Sequence, residues 1–153
     1  MEYINGLRKY VGNQPLLMVG STVLVLDGKN RLLMMKRSDS NNWGVPGGAM
    51  ELGETTEETA RRELHEETGL EVNELTLFSV FSGKELYYQY PSGEEVYNVS
   101  IVYLARDVHG TVELSDGEHY DFQYFDLASL PEKISPPIKP ILRKLLETNL
   151  KND

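Results

Sequence analysis

Between Gly53 and Leu70 the chain reads GETTEETARRELHEETGL, and Glu63, Glu66 and Glu67 fall within little more than one helical turn. Like charges three or four residues apart on a helix repel by about 0.2–0.5 kcal/mol per pair. The cluster therefore works against the helix that carries it. Two readings stand at this point: a solvated acidic face, or a set of oxygen donors for a hard divalent cation. Mg²⁺ is usually held by a few carboxylates and completed by water and substrate phosphates. Just upstream, Pro46 stiffens the chain, and Gly47-Gly48 lets the backbone come close and offers a carbonyl oxygen. A bound cation would remove the repulsion.

The elements that must position these groups are legible from pattern. Thr55 is the expected N-cap of the glutamate helix, with Glu58 completing a capping box, and Gly69 is placed to end it in the left-handed conformation. Ala60 and Leu64, one turn apart, form its inward stripe, beside which the three glutamates fan out over roughly 100°. Leu16 to Leu26 and Arg31 to Lys36 read as strands joined by the turn signal Asp27-Gly28-Lys29-Asn30, and residues 38 to 48 read as loop. Further strands are expected over Glu74 to Phe81, Glu85 to Tyr90, Glu95 to Ala105 and His119 to Asp126, with Pro91-Ser92-Gly93-Glu94 as a hairpin turn. The run from Glu95 is apolar in both phases and is expected to be central. Ile138, Ile141, Leu142, Leu145 and Leu146 repeat at helical spacing within Ser135 to Leu150. Residues 2 to 10 are a weak helical or irregular lead-in. The order implies an α/β (α+β) fold, a mixed sheet flanked by helices, without the regular alternation of a dinucleotide-binding domain.

Composition narrows the classes. The 153 residues fit one domain. A net charge of −9 argues against polymeric nucleic acid, whose phosphates call for a Lys/Arg footprint. It leaves room for a small anion bridged by a metal. With no cysteine, disulfides and thiolate chemistry are out. The apolar run from Leu16 is far short of the roughly 20 residues of a membrane span, and no secretory signal is visible. A cytoplasmic protein without a membrane partner is expected.

The full spacing separates the two readings of the glutamates. From Gly48 through Glu54 and Arg62 to Leu70, the sequence follows G-x5-E-x7-R-E-U-x-E-E-x-G-U at every specified position, U being a bulky aliphatic. This is the Nudix box, and the chain resembles the Nudix hydrolases. KRS at 36–38, WGVPGG at 43–48 and FDLASLP at 125–131 extend the likeness over about residues 17 to 131; residues 1 to 15 carry no family mark. The resemblance implies one Nudix domain over 1–153, with 1–15 unassigned, folded as an α/β/α sandwich with its mixed sheet between helices. It implies a Mg²⁺-dependent (sometimes Mn²⁺-dependent) pyrophosphohydrolase. Glu63, Glu66 and Glu67 would be metal ligands, with the Gly47 carbonyl as another. Glu54 and Arg62 match the outer Glu and Arg, which in the family help orient the ligands. One guanidinium beside three carboxylates would offset charge and hold their rotamers. The general base varies in such enzymes: Glu63, Glu66 or a glutamate of a later loop. Here that loop is Ser115-Asp116-Gly117-Glu118, and Glu118 is selected as base and further ligand, with Asp121 its rival.

Substrate contacts are expected from Glu54, Arg37, Trp43 and Tyr88. Arg37 is placed to bind phosphate; otherwise it is a solvated strand-end arginine. Trp43 either stacks on a base or packs over its loop. Tyr87, Tyr88, Tyr90 and Tyr97 either line a base pocket or pack across strands. None of the three histidines points to catalysis or a metal cluster. The substrate class expected is a nucleoside diphosphate linked to another group, ADP-ribose or a nucleotide sugar. The alternative is a noncanonical nucleoside triphosphate, and a non-catalytic nucleotide sensor is the third reading. A homodimer is an expectation by analogy.

Overall fold

A computed structural model describes residues 1–151 of the chain, with side chains through residue 148. Residues 152 and 153, the end of the expected domain, lie outside the described residues. The elements run α1 (Glu2–Val11), β1 (Leu16–Val25), β2 (Arg31–Arg37), β3 (Trp43–Gly44), β4 (Gly47–Ala49), α2 (Thr56–Thr68), β5 (Leu75–Phe81), β6 (Tyr87–Gln89), β7 (Glu95–Ala105), β8 (His119–Asp126) and α3 (Lys139–Lys151). Short 3₁₀ turns precede β6 and α3.

α2 is built as its ends predict. The Thr55 side chain accepts from the Glu58 N–H, Glu58 returns the bond to the Thr55 N–H, and Gly69 stops the helix at φ 76. A left-handed φ is nearly free for glycine and strained for residues with a Cβ. Ala60 and Leu64 are fully buried against Val23, Val25, Leu33, Tyr103 and Ala105. On the opposite side, Ile141, Leu142 and Leu145 of α3 pack on Leu24, Leu26, Leu32, Met34 and Val102. The chain is thus an α/β/α sandwich with its sheets between α2 and α3.

There are two sheets rather than one. The first is mixed, in the order β4-β1-β7-β5, with β6 lying beyond β5 along the same edge of β7. β1 and β7 run parallel from Leu16↔Val96 to Val25↔Ala105. β7 is central, as its two apolar phases require. The second sheet is antiparallel, β3-β2-β8. The expected turn after β1 forms, with Asp27 Oδ1 accepting from the Lys29 and Arg31 N–H groups. β1 and β2 nonetheless part after a single bridge, Leu26↔Leu32. Both strands are apolar on both faces (Val23, Leu24, Val25 in one; Leu32 to Met35 in the other). Each therefore becomes the centre of its own sheet rather than one arm of an isolated hairpin.

Other segments differ in detail from the sequence expectation, and the head of the expected Glu85–Tyr90 strand is a 3₁₀ turn, Lys84–Leu86. Residues 38 to 48, expected as loop, contain β3 and the first two residues of β4. The lead-in is a regular helix held by tertiary ties. Ile4 is buried with Met18, Ala49 and Val96, and the Arg8 guanidinium donates to the Gly12, Gln14 and Glu95 carbonyls. The Tyr3 N–H donates to Glu51 Oε2 at 3.1 Å. Short helices are stabilised mainly by such packing rather than propensity, so the local sequence shows little of it.

Candidate active and metal site

The register of β4 sets the site. Ser21 pairs with Gly48 and Thr22 with Gly47, while the Val23 N–H donates to the Pro46 carbonyl. In an antiparallel ladder hydrogen-bonded pairs alternate, so the Gly47 amide and carbonyl both point away from β1. The Gly47 N–H is used at once: it donates to Glu67 Oε2 at 2.8 Å. Gly48 lies against the other buried carboxylate. A Cβ built there would come within 2.5 Å of the Glu63 carboxyl carbon. Gly48→Ala should therefore displace Glu63 and raise the Mg²⁺ concentration for half-maximal activity by about tenfold or more, the scale for disturbing a ligand's support. A Mg²⁺ activation curve tests this, and an unchanged midpoint would refute the placement.

Arg62 is the hub of the carboxylates. Its Nε and Nη2 grip Glu54 at 2.7 and 2.9 Å, and Nη2 also reaches the Ala49 carbonyl at 3.0 Å. Nη1 donates to Glu63 at 2.8 Å and to Glu66 at 3.2 Å. The bidentate bond from Arg62 holds the Glu54 pKa down to about 2. Glu54 also accepts from the Thr59 hydroxyl and the Glu51 N–H. These bonds fit the orienting role expected of Glu54.

Glu63 and Glu67 are 7% and 6% exposed, which disposes of a solvated acidic face. Burial raises the Glu63 pKa, with Arg62 opposing it. Burial, then the Glu63 charge, raises Glu67 much further, the Gly47 N–H only partly compensating. Glu66 is half exposed, and among the described residues its ion pair is with Arg62. Among the described residues Glu67 has no cationic partner, although the Glu118 and Asp116 charges also bear on it. Ligand atoms of Glu67, Asp116, Glu118 and His119 lie within 4.8 Å of one another. Gly117, at φ 77, turns the loop, and Asp116 Oδ1 accepts the Glu118 N–H at 3.0 Å.

Of the two carboxylates weighed in the later loop, Glu118 comes to the box helix. Asp121 is exposed on β8 and accepts its neighbour Phe122's N–H. Asp116 and His119 join Glu118 in this cluster, although the sequence singled out neither of them. His119 is 5% exposed, and burial lowers its pKa, favouring the neutral imidazole that can ligate a metal. The only local signal was D-x-E-H at the start of a strand; its nearness to Glu67 depends on Arg37↔His119 pairing across the second sheet. The donor set is carboxylate oxygen with one imidazole and the outward Gly47 backbone. Buried carboxylates short of positive charge fit a hard divalent ion.

A cavity opens beside Gly47 and Gly48 and is lined by Arg37, Tyr88, Tyr90 and His119, among others. Arg37 donates twice to Asp39, at 3.0 and 2.9 Å. Tyr88 and Tyr90 meet edge to face at 5.0 Å, while Tyr87 and Tyr97 form a cross-strand pair outside the lining. Trp43 is not in the lining. Its ring packs edge-on against Phe125 at 5.0 Å, as the packing alternative expects.

A Nudix fold is defined by this combination: a capped helix of box carboxylates set against a glycine strand inside an α/β/α sandwich. Residues 16–145 match the family model described as NUDIX domain, and the chain belongs to that family. It is similar to an ADP-ribose pyrophosphatase of Methanocaldococcus jannaschii, 32% identical over 71% of this chain and 62% of the relative. It is likewise similar to an oxidized purine nucleoside triphosphate hydrolase of Mus musculus, 35% identical over 71% of this chain and 66% of the relative. The chain thus spans under two thirds of either relative's length. Among solved structures, a MutT NUDIX hydrolase from Burkholderia pseudomallei superposes with a TM-score of 0.70 at 28% identity, covering 85% of this chain and 97% of that one. No helix among the described residues is long and apolar enough to cross a membrane.

Proposed function

We propose that the protein is a cytoplasmic, Mg²⁺-dependent pyrophosphohydrolase that cleaves the diphosphate of a nucleoside diphosphate linked to another group, ADP-ribose or a nucleotide sugar. The observation that carries the reading is Glu67, a buried carboxylate without a cation partner among the described residues, held between Gly47 and the Asp116–His119 loop. Glu63, Glu66, Glu67, the Gly47 carbonyl and Glu118 would hold the ion, with His119 and Asp116 beside them. When bound, Mg²⁺ supplies Lewis-acid chemistry and neutralises diphosphate charge.

The chain's own residues do the rest. Arg62, clamped by Glu54, keeps Glu63 and Glu66 from repelling one another out of place. Glu118 is the group assigned to take the proton of the attacking water, with Asp116 steadying its backbone. Arg37, half-buried in the cavity wall, meets phosphate oxygens with a guanidinium already oriented by Asp39.

The similarity to a nucleoside triphosphate hydrolase keeps a second reading, cleavage of noncanonical nucleoside triphosphates to monophosphate and pyrophosphate. A substrate panel with product analysis, run with Mg²⁺ and with EDTA, separates them. ADP-ribose should give AMP and ribose 5-phosphate with Mg²⁺ and nothing in EDTA. Turnover of triphosphates without turnover of ADP-ribose would establish the second reading. No metal-dependent hydrolysis across the panel would overturn both readings and revive that of a non-catalytic nucleotide sensor.

A further inference from the structure

Behind the glycine strand, the cavity contains two polar groups that the diphosphate chemistry does not use. Ser135 is 6% exposed, and its Oγ has no hydrogen-bond partner among the described residues. It precedes the 3₁₀ turn at Pro136–Ile138 but does not cap it. Its backbone is satisfied instead, N–H to the Trp43 carbonyl and carbonyl from the Ile138 N–H. Its hydroxyl faces Gly44 without crowding it, since a Cβ added at Gly44 would stand 3.8 Å from the Ser135 Oγ. Buried hydroxyls are nearly always paired, so an orphan in a cavity wall points to a ligand atom.

Asn98 is the second group. Its Nδ2 donates to the Leu86 carbonyl at 3.0 Å. A carbonyl only accepts, so the amide orientation is set and Oδ1 is left as the acceptor of a residue that lines the cavity. Thr22 and Ser100, also in the wall, satisfy each other at 2.6 Å. Leu86, Ile141 and Tyr88 add apolar and aromatic surface to the lining, which Arg37 and His119 also share.

We propose that this end of the cavity reads an adenine-type base edge: Asn98 Oδ1 accepts from the exocyclic amino group, and the Ser135 hydroxyl donates to the ring nitrogen beside it. The inference rests on the cavity being the nucleotide site of the proposed function. An apolar slot with a few convergent polar groups suits a planar base. A 6-oxo base sets an acceptor against Oδ1, and Asn98 cannot flip to meet it without losing Leu86. Sites built to hydrogen-bond a particular group reject the analogue lacking it strongly.

The test is calorimetric binding of AMP and IMP, alongside kcat/KM for ADP-ribose and its hypoxanthine analogue with Mg²⁺. AMP and ADP-ribose should be favoured by about tenfold or more. Asn98→Leu should collapse the AMP preference to within about twofold. Ser135→Ala should weaken AMP binding about fivefold without lowering Tm, because it removes an unpaired hydroxyl; a purely structural serine would show the reverse. Equal binding of AMP and IMP, binding of neither, or unaltered AMP binding in Ser135→Ala would overturn the proposal. Should AMP be preferred while neither ADP-ribose compound is hydrolysed, the base reading stands and the proposed reaction fails.

Discussion

Glu67→Gln is expected to lower kcat by at least about 10²-fold, the scale of losing a group central to the chemistry, and to raise the stability of the metal-free protein. The two effects have one cause. Glu67 is buried, it accepts a hydrogen bond from the neutral Gly47 N–H, and the charges around it are Glu63, Glu118 and Asp116. Its folded pKa is therefore raised above the ordinary carboxylate value. A raised carboxylate pKa means that the stabilising protonated form is fully present below the unfolded pKa, and that stability falls as pH climbs through the folded one. At neutral pH the metal-free wild type holds this destabilised group. Glutamine keeps an acceptor for the Gly47 N–H and has no charge to bury.

Thermal melting in EDTA tests this directly. The variant should melt above wild type at pH 7, and the gap should narrow toward pH 4.5 as the folded wild-type carboxyl takes up its proton. Adding Mg²⁺ should stabilise wild type and leave the variant nearly unmoved, since only ligand binding to the native state shifts the equilibrium. Wild-type turnover in the variant, or a variant that melts lower in EDTA, would refute the assignment of Glu67.

Arg62→Ala should destabilise the protein by about 2–3 kcal/mol. Removing one partner of a buried ion pair costs about 3–5 kcal/mol, and the Arg62 side chain is 25% exposed, so solvent screening reduces the figure. The loss leaves Glu54, Glu63 and Glu66 facing one another and frees the Ala49 carbonyl. Arg62→Lys should recover little, because one ammonium cannot repeat a bidentate grip on Glu54 and still reach Glu63. Urea unfolding at neutral pH measures both variants. A lysine variant as stable as wild type would mean that charge alone, without the planar fork, holds the carboxylates.

Several parts of the fold were legible because their causes are local. The caps of α2 span three or four residues, and Thr55, Glu58 and Gly69 state them outright. The two apolar phases of β7 announce a strand covered on both faces. The inward stripe of α3, Ile141, Leu142 and Leu145, follows from helical period. Where the reading fell short, the deciding partner is distant in sequence. The turn at Asp27 was correct, yet β1 pairs with β7 and β2 with β8, because strands apolar on both faces need neighbours on both edges. α1 is fastened by Arg8 to Glu95 and by Glu51 to Tyr3, contacts that no local pattern records.

The site divides in the same way. Sequence by itself determined the family, the box carboxylates and the helix that presents them, since one rigid helix fixes the spacing of Glu63, Glu66 and Glu67. Tertiary structure alone decided which of them are buried, that Glu54 faces Arg62 and that Trp43 serves the core. It also decided that Asp116 and His119 join Glu118 beside Glu67. These outcomes rest on strand register and on the layering of α2 over the first sheet. Burial and charge environment are properties of that packing, and they convert a costly acidic turn into a site that calls for a cation.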